Sequence, residues 1–221
     1  MKKIFFIFLI SYGVASANEI YIDQSVGNNN SVSIEQRSAN NQVTNNSEYP
    51  YSIISGDNNT INITQGNISD AGVNTVEFTI MGNGNNFSVN QGQHWSNNQA
   101  SRMINQNIVG NHNSSVILQY GNSTKTVYSN IIGDHNTQHI EQEGSGEHFL
   151  DVNLTGNHNF LEVDQEGNFA ASATVNLHNV GGPSSLSLYQ NSESANQPIS
   201  YGVTQFCADP NGCSVTVTQA H

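Results

Sequence analysis

Three histidines stand where they could do chemistry together. His112, His135 and His158 recur at intervals of 23 residues, each in the same setting: GNHN at Gly110, GDHN at Gly133 and GNHN at Gly156. If each copy stacks on the last, the imidazoles line one corner at about 5 Å steps. Such a row could hold Zn²⁺ or Cu²⁺, or respond to pH when protonation sets like charges side by side. The plainer reading is an exposed corner that accepts His as it accepts Asn29, Asn58 and Gly84 at the same place in other copies. That reading is favoured, so no metal or other cofactor is expected.

Cys207 and Cys213 are the only cysteines, and they flank the turn-forming stretch Ala208-Asp209-Pro210-Asn211-Gly212. In an exported chain they are expected to close a disulfide, worth roughly 2 kcal/mol for so short a loop. Export is read from the amino terminus. Met1-Lys2-Lys3 is cationic, Ile4 to Ile10 is apolar, and Ala15-Ser16-Ala17 offers small residues for cleavage, so residues 1–17 read as a signal peptide. The apolar run is far shorter than the ~20 residues that span a bilayer. The expected mature chain is 204 residues, secreted or held at the cell surface, with 18–26 as a short leading segment.

Without Lys2 and Lys3, the basic residues are Arg37, Arg102 and Lys125 against 17 acidic ones, a formal charge of −14. Nucleic acid and anionic membranes are therefore not expected partners. An enzyme is not expected either. The three cations do not fall near one another in the repeat register, and Asp134, Glu162 and Asp164 read as scattered, solvated acids. A flat ice-binding face of threonines is begun by Thr60, Thr64, Thr216 and Thr218 but interrupted by Glu141, Glu162 and Tyr189.

The elements that position these residues come from the repeat. Openings occur at Gly27, Gly56, Gly82, Gly110, Gly133, Gly156, Gly181 and Pro210, and a glutamine comes nine residues after each: Gln36, Gln65, Gln91, Gln119, Gln142, Gln165, Gln190 and Gln219. Six copies also place an asparagine three residues after the opening, at Asn30, Asn59, Asn85, Asn113, Asn136 and Asn159. The pattern is Gly-x-x-Asn-x-φ-x-φ-x-Gln. In a strand, residues two apart share a face, so the Asn, both φ positions and the Gln all point inward. Buried amides need partners, and stacked copies supply them as ladders of like side chains.

A second alternating run precedes the opening: Val76, Phe78 and Ile80; Leu150, Val152 and Leu154; Val175 and Leu177. Each repeat thus holds two strands and two corners. The expected fold is all-β: a two-sided parallel β-solenoid of about eight coils over residues 27–219. Intervals longer than 23 mostly carry their extra residues after the glutamine, as in RSANNQVTNNSEYP from Arg37 to Pro50, and these read as corner loops.

These residues resemble the curlin repeat of curli fibre subunits, carried by GDNNTINITQG at Gly56 and GNGNNFSVNQG at Gly82, over most of residues 27–219. The second strand, which often ends in an apolar residue, and the cysteine pair depart from that pattern. The resemblance implies a secreted subunit that self-assembles, with itself or with related curlin-like subunits, into an amyloid-like fibre of the cell surface or biofilm matrix. The other reading is a monomeric solenoid adhesin that engages a glycan or cell-surface receptor, with outward Val116 and Leu118 and nearby Tyr120 as a sticky patch. For the fibre, the uncharged, proline-free strand from Ser214 to Gln219 is the expected assembly edge, through Val215, Thr216, Val217 and Thr218.

Overall fold

The computed structural model describes residues 6–11, 18–38, 40–44, 52–66, 72–92, 100–191 and 198–220, and among them there is no helix. β1 (Phe6–Ser11) is followed by a split strand, β2 (Glu19–Ile20) and β3 (Ile22–Val26), and then by β4 (Ser31–Gln36). A second split strand, β5 (Asn41–Val43) and β6 (Ser52–Ser55), precedes β7 (Thr60–Gln65). Regular alternation sets in from there: β8 (Asn74–Met81), β9 (Asn86–Gln91), β10 (Arg102–Val109), β11 (Ser114–Gln119), β12 (Lys125–Ile132) and β13 (Thr137–Gln142). It continues through β14 (His148–Thr155), β15 (Phe160–Glu166), β16 (Ala171–Asn179), β17 (Ser184–Asn191), β18 (Ile199–Cys207) and β19 (Cys213–Ala220).

The glutamine-bearing strands, with β1 at one edge, form sheet A, in the order β1-β4-β7-β9-β11-β13-β15-β17-β19. The strands that precede each opening form sheet B, β18-β16-β14-β12-β10-β8-β5-β2, with β6 between β3 and β8. Neighbours in both sheets are parallel, so the chain climbs one rung per coil. From the first opening to the last it makes about seven turns. The expected two-sided parallel β-solenoid is borne out.

Burial alternates strictly along sheet A. In β7, Ile61, Ile63 and Gln65 are buried, while Thr60, Asn62 and Thr64 face out. The long strands of sheet B bring Ile104 and Ile108, Val127 and Ile131, and Leu150, Val152 and Leu154 against them. Phe78 and Phe87 meet edge to face across the interior, with ring centroids 5.7 Å apart. The result is one continuous apolar core that runs the length of the stack.

The sequence boundaries shift in two places. Residues 18–26, set apart from the repeats in the sequence, contribute β2 and β3, which pair with β5 and β6. The segment 37–50, expected as a corner loop, contains β5, because Asn41 and Val43 alternate into the core and are fully buried. The other long inserts, 67–71, 93–99 and 192–197, lie outside the described residues, as does the expected cleavage site. β1, within the expected leader, pairs in parallel with β4, from Phe6 opposite Ser31 to Ser11 opposite Gln36.

Candidate functional site

The glutamines form a continuous hydrogen-bonded column. Gln36 Nε2 donates to Gln65 Oε1 at 3.0 Å, and the same bond continues through Gln91, Gln119, Gln142, Gln165 and Gln190 at 2.7 to 3.1 Å. From Gln65 to Gln165, the same nitrogens also reach across the interior to main-chain oxygens of sheet B: Asn74, Thr75, Met103, Thr126 and Phe149. The ladder therefore ties each coil to the next and clamps one sheet to the other. Gln219 stands in register beside Gln190, yet Gln190 Nε2 meets no acceptor, so the hydrogen-bonded run stops one rung short of β19. Gln142→Ala removes a bond made at 2.7 Å and one accepted at 3.0 Å, with an expected loss of about 1 to 3 kcal/mol by chemical denaturation. Glu141→Ala, on the outward side of the same strand, should change stability by less than about 0.5 kcal/mol.

At the opposite corner each asparagine works in two directions. Asn59 N–H donates to Asn30 Oδ1 at 2.8 Å, and Asn59 Nδ2 donates forward to the carbonyl of Gly82 at 2.9 Å. Asn85, Asn113 and Asn136 repeat both contacts, and Asn159 repeats the first. A second ladder is one that sequence reasoning missed. From the second copy on, the residue after the opening glycine accepts through Oδ1 from the same residue one coil earlier: Asp57 from Asn28, Asn83 from Asp57, Asn111 from Asn83, Asp134 from Asn111 and Asn157 from Asp134. In each bond the earlier residue's N–H is the donor. Asp134 is thus held in the corner by the main-chain N–H of Asn111 at 2.7 Å, not freely solvated. Its signal was present, since the first six of the eight openings carry Asn or Asp directly after glycine.

The histidine row stands as stacked rings. His112 and His135 have centroids 5.1 Å apart, and His135 and His158 5.0 Å, with planes 15° and 2° from parallel. All three are exposed and have φ of 55° to 57°, as Asn29 and Asn58 do. This left-handed conformation is favourable to Asn, His and Gly and unfavourable to most residues, which gives the corner its restricted alphabet. Parallel rings at this spacing do not aim nitrogens at a common point. Among the described residues, no three His, Cys, Asp or Glu side chains gather as a metal site.

The cations are where the sequence reading did not put them. Arg102 and Lys125 are register neighbours, followed by His148 and preceded by Asn41 and Asn74, in one inward column of sheet B. All are buried, with exposures of 2% for Arg102, 0% for Lys125 and 2% for His148. The expectation that no cations neighbour one another in the register is corrected. Each of Asn74, Arg102, Lys125 and His148 lies eight residues before an opening glycine, a regularity hidden when the copies are aligned from the glycine onward. Carbonyls turned inward by the second corner receive the charge. Arg102 donates to Asn74 Oδ1 and the Gly121 carbonyl, and Lys125 Nζ to the carbonyls of Gly144 and Gly146.

Burial, with Arg102 beside it, holds Lys125 down to about 8, against a smaller upward pull from Glu147. Burial and then Lys125 hold His148 down to about 3, and its ring faces the main chain of Phe169 and Gln165 without hydrogen-bond geometry to a partner. Because folded His148 resists protonation, the unfolded chain takes up the proton first as pH falls below about 6.5. That stability is complete above pH 6.5 and is lost toward pH 3. Between pH 6.5 and 5 the loss should be about 2 kcal/mol. Asp164, pushed up to about 6, contributes the opposite slope above its ordinary value of 3.8, so the comparison is made between wild type and His148→Leu. Denaturant melts should show the acid loss in wild type and its absence in the variant.

A polar island sits within the core beside this column. Gln106, Ser115, Ser129 and Gln138 are buried and bond to one another at 2.7 to 3.3 Å. Ser115 and Gln138 occupy φ positions, and their mutual bonds make that substitution tolerable.

On the outer face of sheet A, Glu141 and Asp164 are register partners, with Glu143, Glu162 and Glu166 around them. Burial first, and then these four carboxylates, raise Asp164 to about 6, so these acids are a crowded group and not scattered. Val116, Leu118 and Tyr120 face outward but are half-buried. Apart from Phe160 on β15, the more exposed apolar side chains of the strands lie on sheet B, where Met81, Val109 and Ile132 share one register column and Tyr128 neighbours Phe149.

The last coil carries the remaining residues singled out in the sequence. Cys207 and Cys213 are joined as a disulfide with Cα atoms 5.8 Å apart, linking the end of β18 to the start of β19. Cys213 stands opposite Ser184 in the register, and β19 exposes Thr216 and Thr218 outward while Val215 and Val217 pack against the core. Compared with models of known protein families, with curated proteins and with solved structures, the chain shows no match.

Proposed function

We propose that this protein is a secreted structural subunit of curli-like fibres, which self-assembles end to end and serves adhesion, surface attachment and biofilm matrix. The observation that carries the proposal is the direction of the main-chain donors at the end of sheet A. Ser31 N–H donates forward to Asn59 O, Thr60 to Asn85 O, Asn86 to Asn113 O and Thr137 to Asn159 O. Ser214, Thr216 and Thr218 occupy the corresponding positions of β19, whereas Cys213 N–H donates backward to Pro183 O. Donors alternate along a parallel strand, so these three N–H groups aim away from the fold. Among the described residues no strand pairs beyond β19 or β18. A coil of another copy continues the same parallel register there.

Export and removal of residues 1–17 would leave β4, with Gln36 and Asn30, as the complementary edge. The leader strand β1 occupies that edge in the full chain. The test is to incubate the chain from residue 18 at micromolar concentration. Thioflavin-T-positive fibres support the proposal, and a persistent monomer with cooperative melting removes it.

The adhesin reading draws on a different surface. Phe149, 39% exposed, lines a groove of about 360 Å³ with Thr126, Glu147, Ser172 and Ser200, and the ring of Tyr128 lies 5.8 Å from its own on sheet B. Aromatic faces with hydroxyls beside them suit a sugar ring. Glycan binding by a protein that stays monomeric favours this reading.

A further inference from the structure

The outer face of sheet A carries its charge in two strips. His112, His135 and His158 run along the strand starts, and His158 shares a shallow concavity of about 310 Å³ with Phe160, an outward residue of β15. The imidazoles therefore border this face. At the strand ends, about 20 Å away for six residues, stand Glu141 and Asp164 with Glu143 and Glu166 beyond them, and Glu162 lies two residues before Asp164 on the same outward side of β15. Between the strips lie half-buried Val116 and exposed Phe160, while half-buried Leu118 stands in register with Glu141.

The chain has little else to offer an acidic partner. Arg102 and Lys125 are buried, and Arg37 pairs with Glu35 at 2.8 Å. Among the described residues, unpaired positive side-chain charge can reach the surface only through imidazoles.

We infer that this face pairs with the same face of a second copy, about a two-fold axis along the stack, each histidine strip lying against the other copy's acidic strip. Such an axis exchanges strand starts for strand ends while keeping coils level, so a face with this layout is self-complementary. Its extent, eight coils at ~4.8 Å by about 20 Å, is roughly 750 Å² per copy, close to the ~800 Å² of a standard interface. The carboxylate repulsion that adds to burial in raising Asp164 is offset by a partner's imidazole strip.

The sign of the pH dependence is set by the groups that face each strip. Beside the histidines stand Asp57 and Asp134, which accept from the N–H groups of Asn28 and Asn111, and Asp209, which accepts from Asn211. Beside the acids stand Tyr120, Tyr189, whose hydroxyl meets Glu166 at 3.1 Å, and His139, in register with Glu162. Imidazoles as a class gain charge as pH falls from about 7 to 5, and carboxylates lose it toward about 4. Pairing is therefore strongest between about pH 5 and 6, weak at about 7.5 and at about 3.5, and weakened by salt.

The test uses the chain from residue 18 carrying T216P, which lacks the outward donor for end-to-end growth, so its outcome does not depend on whether wild type makes fibres. Sedimentation should show self-association at least about tenfold tighter at pH 5.5 than at 7.5. H112N/H135N/H158N should abolish that gain with unchanged melting at pH 7.5, because Asn29 and Asn58 already hold the same left-handed φ. E141Q/D164N should abolish it from the other side. A T216P chain that stays monomeric at pH 5.5, or a triple-Asn variant that associates as tightly as its parent, overturns the inference.

Discussion

Thr216→Pro is expected to stop fibre growth while leaving the coils folded. Thr216 is exposed, its N–H aims away from the fold, and its side chain faces solvent, so proline removes a donor that no described strand uses. The Cys207–Cys213 disulfide anchors the start of the same strand. An incoming coil, however, loses a ladder bond at the centre of the new interface and meets the ring of the proline. Elongation followed by Thioflavin T should fall at least about a hundredfold, on the order of 3 kcal/mol in the addition step. Circular dichroism of the monomer should be unchanged. Equal elongation rates for variant and wild type would mean that β19 is not the growing edge.

The largest loss of stability is expected at the opening glycines. Gly133 has φ of +129°, a conformation that L side chains rarely adopt, and a methyl added there would overlap the carbonyl of Gly156 in the next coil. Neither can yield cheaply, because that backbone is held on both sides by the ladders: Asn113 donates to Gly133 O and Asn136 to Gly156 O, each at 2.8 Å. Gly133→Ala should therefore cost on the order of 4 kcal/mol, from backbone strain and displaced stacking together. Gly202, in β18, has open space where its Cβ would be, and Gly202→Ala should stay within about 1 kcal/mol of wild type. Similar losses at both sites would contradict the stacking of carbonyl over glycine that sets the coil spacing.

The parts of this fold legible in the sequence are those fixed by an invariant offset. Gln142 is readable because nine residues always separate opening from glutamine, and that interval holds one six-residue strand with no insertion. The inward facing of Asn136, Ile140 and Gln142 is then a matter of period two. Lys125 is less readable for two reasons. It lies beyond a corner whose length varies, and a cation at a strand start reads by default as a solvated end. Its burial depends on the carbonyls of Gly144 and Gly146, contributed by the next coil and visible only once the coils are stacked. Asn41 and Val43 are hidden differently, because polar residues surround a three-residue strand too short to show alternation. The histidine corner is legible in its spacing, but its alphabet of Asn, Gly and His reflects a positive φ that no local pattern announces.

The central claim, that copies stack end to end as a continuing solenoid, is tested most directly by mass per unit length of fibres grown from the chain beginning at residue 18. Eight coils at ~4.8 Å place one chain in every ~38 Å of a single protofilament, or two in the same length where filaments pair laterally. An in-register cross-β stack of extended chains would instead place one chain in every ~4.8 Å. Scanning transmission electron microscopy separates these values readily. One or two chains per ~38 Å, together with a meridional reflection at ~4.8 Å, is the predicted result, and a density near one chain per ~4.8 Å would contradict the account.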